Sequence, residues 1–207
     1  MTAWQNQPII RVRKGRYLFT FFINISAGVG GKCSMEGKRL TSYAMEELEC
    51  PKCGHKHSLK KYKVINVTEK AKLKEEIMKN RLYQFSCEEC EYMAPLTYDS
   101  LYVDSRRNIM IYMAPVMNAE IKAEITELEQ EKGIDKRLVD NINDLKEKIM
   151  IADNHLDDRV IEIIKIMYID QMKKEMEDDT LLNILFDYNR DNYCFLVFFQ
   201  KKGIGKI

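Results

Sequence analysis

The stretch Glu49-Cys-Pro-Lys-Cys-Gly-His-Lys-His57, ECPKCGHKH, sets Cys50 and Cys53 two residues apart beside His55 and His57. A second pair of the same spacing follows at residues 87–90, CEEC. Two residues between cysteines allow both thiolates to point at one tetrahedral ion, and two such knuckles complete a four-thiolate sphere. Cys50, Cys53, Cys87 and Cys90 are therefore read as the ligands of a structural zinc ion. Pro51 fixes the φ of the first knuckle, and Gly54 accepts the positive φ often needed after its second ligand. In the second knuckle Glu91 stands where a glycine would be easiest, and Glu88, Glu89 and Glu91 disfavour a further anionic ligand.

Other chemistries fit the cysteines less well. A thioredoxin-like redox pair opens a helix after a strand, whereas a strand-like segment follows Cys53. Two disulfides require an oxidising compartment, and no good signal for one is present. A catalytic thiol with His55 or His57 as base has no visible third member. The two histidines read as solvated neighbours of the first knuckle, able to replace a lost thiolate. Cys33 and Cys194 have no partners, and Cys194 reads as a small buried hydrophobe in a strand.

The chain has 207 residues, 45% hydrophobic and 31% charged, with a formal net charge of +1. This is enough apolar content for a sizeable core, and it argues against a whole-protein attraction to nucleic acid or membrane. Residues 50–93 carry ten Lys/Arg against six Asp/Glu, while residues 118–180 carry ten against eighteen. A basic part thus precedes an acidic one, as solvated charge faces often do. No apolar run of membrane-spanning length exists. Residues 1–44 read as a leader or mis-called start that is poorly ordered. Its basic-then-apolar run is interrupted by Asn24 and Ser26, and Gly30-Gly31 precede alternative starts at Met35 and Met45.

Along the chain, LKKYKVINV (59–67) has β-branched strand character. Thr68 is a candidate cap for a helix carrying Leu73, Ile77 and Met78, ended by Asn80. RLYQFS (81–86) reads as a strand, and residues 95–115 as a hairpin around DSRRN. A polar helix over 118–132 is stopped by Gly133, and 135–152 reads as another helix. Residues 154–177 are apolar over most of a helical circumference, which predicts the buried centre of the second half. The tail reads as two strands flanking NRDN, with a third beginning after KKG, as in a truncated hairpin.

Taken together, CPKCGH (50–55), CEEC (87–90), LYVD (101–104), MIYMAP (110–115) and LDDRVIE (156–162) resemble the bacterial CpXC-domain proteins. The resemblance runs from about Glu49 to about Tyr168, and Glu91 departs from its pattern. It implies a four-cysteine, zinc-ribbon-like metal site and no assigned biochemical activity. The expected fold is α+β: a zinc-ribbon-like β domain with inserted helix and hairpin over 45–117. A helical segment with a C-terminal β-hairpin follows over 118–207.

Two further functional readings remain. DNHLDDRVIE (153–162) gathers Asp153, His155, Asp157, Asp158, Arg159 and Glu162, an acid–base or metal cluster if it lines a pocket. The alternative is helix capping by Asp153 or Asn154, with Asp157 and Asp158 complementing the positive helix end. Lys52, Lys56, Lys60, Lys61 and Lys63 with Tyr62 could track a phosphate backbone. Against this stand the triple glutamate and the absence of arginine there. The reading favoured is a cytoplasmic, structural-zinc, non-enzymatic binding or adaptor module for a protein partner. Nucleic-acid binding is its alternative, and no catalytic or organic-cofactor residues are assigned.

Overall fold

The structure is a computed structural model, and it describes residues 9–13, 16–20, 39–175, 180–189 and 192–200. In chain order the strands are β1 (Ile9–Arg13), β2 (Arg16–Thr20), β3 (Ser42–Glu49) and β4 (Lys56–Asn66). Helix α1 (Lys72–Met78) and a 3₁₀ turn (Arg81–Tyr83) lead to β5 (Gln84–Ser86) and β6 (Met93–Pro95). Then come β7 (Ser100–Asp104), β8 (Ile109–Met113), α2 (Ala119–Glu129), β9 (Asp135–Val139) and α3 (Ile142–Asp153). Helix α4 (Asp158–Glu175) precedes the terminal hairpin β10 (Thr180–Asn189) and β11 (Asn192–Gln200). The class is the expected α+β, with a C-terminal β-hairpin after the helices.

The chain forms two compact units, Gly30–Lys148 and Met1–Val29 with Ile149–Ile207. The first is built on a five-stranded mixed sheet ordered β3-β4-β7-β8-β9. The antiparallel β7–β8 pair is its centre, and every residue of both strands is buried. On one face Leu101, Val103, Met110 and Tyr112 pack with Ile121 and Leu128 of α2. Those two helix positions lie seven apart, two turns along one stripe. Asn118 starts α2 by accepting the Ile121 N–H at 2.8 Å, and Tyr112 donates its hydroxyl to Glu124 Oε2 at 2.6 Å. At the other end of the sheet β4 joins β7 in parallel over Val64–Asn66 only. The preceding part of β4 pairs with β3 alone, as a two-stranded ribbon projecting from the sheet.

Three local expectations are corrected. Residues 135–139 are not helical; they form β9, parallel to β8, and Val139 is buried. The α3 helix starts only at Ile142, after Asn141 Oδ1 accepts the N–H groups of Asn143 and Asp144, both at 2.9 Å. Thr68 does not cap α1, since its hydroxyl accepts the Ser105 N–H at 2.8 Å. Residues 81–83 form a 3₁₀ turn, so the strand begins at Gln84. Asn80 does end the helical run, in a left-handed conformation with φ 63°.

In the second unit the expected terminal hairpin is present, and Ile184, Phe186, Phe195 and Val197 pack against Ile161 and Met172 of α4. The far edge of β11 is taken by β2: Cys194–Phe198 pair antiparallel with Arg16–Thr20. Residues 16–20, read from the sequence as leader, thus lie in a four-stranded sheet ordered β1-β2-β11-β10. Cys33 and the third strand expected after Gly203 lie outside the described residues. Cys194 is buried as expected, and burial pushes its thiol up to about 11.

The α4 helix is not buried all round. Ile161 is inaccessible while Ile163 is 58% exposed. Ile161→Ala should cost about 2–5 kcal/mol by opening a cavity. Ile163→Ala should stay within about 0.5 kcal/mol in dilute protein. Urea unfolding monitored on the second unit checks both values.

Candidate metal centre

Each cysteine pair occupies the turn of a hairpin. Cys50 and Cys53 sit at the tip of β3–β4, and Cys87 and Cys90 at the tip of β5–β6. The two turns repeat one hydrogen-bond pattern. Cys50 N–H donates to His55 O at 2.8 Å, and Gly54 N–H returns to Cys50 O at 2.9 Å. Cys87 N–H donates to Tyr92 O at 2.8 Å, and Glu91 N–H returns to Cys87 O at 3.0 Å. Gly54 and Glu91 are therefore equivalent positions, and both have positive φ, 74° and 56°. The departure at Glu91 leaves the knuckle geometry intact, with backbone strain that a glycine would not have.

The four sulfurs lie within 4.8 Å of one another. Cys50 Sγ is 3.6 Å from Cys90 Sγ, and Cys53 Sγ is 3.5 Å from Cys87 Sγ. A tetrahedral ion with metal–sulfur bonds of ~2.3 Å needs sulfur–sulfur edges of roughly 3.8 Å. The residues present fit such an ion, so these four cysteines could hold a metal. Cys50 and Cys87 are buried among Phe85, Leu48, Leu59, Tyr92, Ala94 and Leu96, while Cys53 is exposed. The sulfurs therefore lie at the edge of a small apolar cluster of their own.

Burial alone raises the Cys50 thiol, but the N–H groups of Cys53 and Lys52 and the neighbouring thiols outweigh it. The result falls from 9.0 to about 7. At Cys53 the His55 N–H favours the thiolate, yet burial and the surrounding thiols prevail and push it to about 12. Cys90 is driven up, chiefly by burial. The Cys50 thiolate forms readily while Cys53 and Cys90 resist, as expected of like charges crowded together. A bound dication would relieve that repulsion.

His57 is closer to the sulfurs than a solvated neighbour would be. It is half-buried, with Nε2 3.2 Å from Cys87 Sγ and its ring edge-on to Phe85 at 5.4 Å. His55 is exposed and meets the His57 ring at 4.8 Å. The signal for this placement was the alternation along β4, where His57 and Leu59 share the face turned to the cysteines.

The acidic cluster has structural employment. Asp153 ends α3, and His155 sits in the connecting turn with φ 56°. The cap of α4 is Asp157, not Asp153 or Asn154, because its Oδ1 accepts the Arg159 N–H at 2.9 Å. The Arg159 guanidinium grips the same carboxylate at 3.0 and 2.7 Å. Glu162 pairs with Lys165 at 3.1 Å.

The lysines of the first hairpin do not form one track. Lys61 is paired with Glu46 at 2.6 Å, Lys56 stands opposite Glu49, and Lys60 lies over the Tyr43 ring at 4.9 Å. Strand β3, which the sequence pattern did not reveal, brings Glu46 and Glu49 to two of them.

The family profile described as "CpXC protein" matches residues 48–165. The chain belongs to the CpXC family. The matched span contains both knuckles, the β7–β8 pair and the start of α4. No curated protein matches the chain, and no solved structure matches it. Among the described residues no helix is long and apolar enough to cross a membrane.

Two substitutions test the equivalence of the knuckles. A Cβ on Gly54 would approach only Glu49 Oε1, at an ordinary 3.5 Å, so Gly54→Ala is opposed by φ alone. It should cost about 1 kcal/mol. Glu91→Gly removes the matching strain and should gain about 0.5 kcal/mol, the glycine's unfolded-state entropy offsetting part of it. Paired denaturant titrations give both signs.

Proposed function

We propose that Cys50, Cys53, Cys87 and Cys90 bind one structural zinc ion, and that the chain is a non-enzymatic binding or adaptor module. The observation that carries the reading is the duplicated knuckle, with matching hydrogen bonds and four converging sulfurs. Four thiolates in a tetrahedron suit zinc or iron, and zinc adds no redox chemistry to the centre. The ligands would all be protein sulfurs, so no coordination position is left for substrate or water. The centre then serves to clamp the short β5–β6 hairpin to the β3–β4 ribbon.

The non-enzymatic reading is supported by the capping and ion-pairing roles of Asp157, Arg159 and Glu162. The nucleic-acid reading is weakened by Glu46 and Glu49, which meet Lys61 and Lys56 across the hairpin. Cytoplasmic placement accords with four cysteines kept reduced for metal.

Elemental analysis should find one zinc per chain, and each Cys→Ser variant should lose it. Cobalt substitution should give the intense thiolate charge-transfer bands of a four-sulfur site. A structural zinc binds with about 10–16 kcal/mol in small peptides, comparable to a whole domain's stability. Chelation should therefore lower the thermal transition of the first unit; an unchanged transition, or iron in place of zinc, refutes the assignment. Filter binding of RNA and DNA across a salt series should show no salt-sensitive retention.

A further inference from the structure

The α4 helix has two apolar faces. One carries Ile161, Ile164, Tyr168, Ile169 and Met172 against the terminal hairpin. The other is open: Val160 is 40% exposed, Ile163 58%, Ile166 64% and Met167 66%. Single exposed apolar side chains are ordinary, whereas four on consecutive turns of one helix form a patch of the kind that marks an interaction surface.

Within this patch Arg159, Ile163, Ile166 and Asp170 are all exposed and are spaced by four, three and four residues. That spacing lays them along one line of the helix surface. The line reads the same from either end in spacing, and its two ends carry opposite charges.

We propose that this seam is an interface between two copies of the chain, with their α4 helices antiparallel. A two-fold axis passing between Ile164 and Lys165 brings Ile163 onto Ile166 of the second copy, twice. The same axis brings Arg159 onto Asp170 of the second copy, also twice. One symmetry operation thus satisfies both the apolar and the charged positions, as an isologous contact requires. A parallel pair would set Arg159 against Arg159 and Asp170 against Asp170. Antiparallel helix dipoles add to the preference. Arg159 already grips Asp157, but a guanidinium has five N–H donors and holds a second carboxylate without releasing the first. Val160 and Met167 flank the seam and widen its apolar strip. A membrane surface is a poorer occupant, because interfacial helices border their apolar face with basic residues and this seam ends in Asp170.

The exposed patch is of the few-hundred-Å² class. That is below the ~800 Å² per partner of a standard interface, so the dimer should dissociate in the micromolar range. The test is sedimentation velocity of the full, zinc-loaded chain in reducing buffer across that range. Wild type should pass from monomer to dimer. Ile163→Glu and Ile166→Glu should each remain monomeric, with unchanged circular dichroism and unfolding. Arg159→Asp and Asp170→Arg should each weaken association about tenfold, or 1.4 kcal/mol. The double exchange Arg159→Asp with Asp170→Arg should restore it. A wild type that stays monomeric throughout overturns the proposal, including when it instead co-sediments with lipid vesicles. So does a dimer that survives Ile163→Glu, or a double exchange that fails to recover.

Discussion

The meeting of four sulfurs is the constraint on which the first unit's outer part depends. The β5–β6 hairpin has three residues on each side, too few to persist alone. The β3–β4 ribbon stands clear of the main sheet over most of its length. What joins them is the convergence of their turns, supported by the small cluster of Phe85, Leu48 and Leu59. The backbone is shaped for this convergence even where the side chain resists it, as the left-handed φ of Glu91 records.

The main sheet and the second unit rest on ordinary hydrophobic packing. The β7–β8 pair is buried on both faces, and α2 covers one of them. In the second unit, α4 and the terminal hairpin share a separate aliphatic and aromatic cluster. These clusters are separate from the small one around the four cysteines.

The features legible in the sequence were those encoded at short range. Cys-x-x-Cys spacing, the turn residues of both hairpins and the apolar stripe of α2 each lie within a few positions of one another. The misses have a common physical origin in contacts made far along the chain. Strand β3, SYAMEELE, is rich in residues of modest strand preference, and its pairing with β4 overrides them. Strand β9, DKRLV, is short and charged, and only β8 makes it a strand. The approach of His57 to Cys87 spans two hairpins, and the alternation along β4 gives its face but not its partner. In α4 an apolar circumference suggested complete burial, but one sheet covers only one side of a helix.

Strand β4 runs unbroken for eleven residues, from beside the first knuckle to the centre of the sheet. At about 3.3 Å per residue this is a spar of roughly 36 Å. Its inner end is fixed by β7, and its outer end, paired with β3 alone, reaches the sulfurs and their apolar surround. The knuckle is therefore mounted on a cantilever. A load at the thiolates passes to the sheet along a single strand pair.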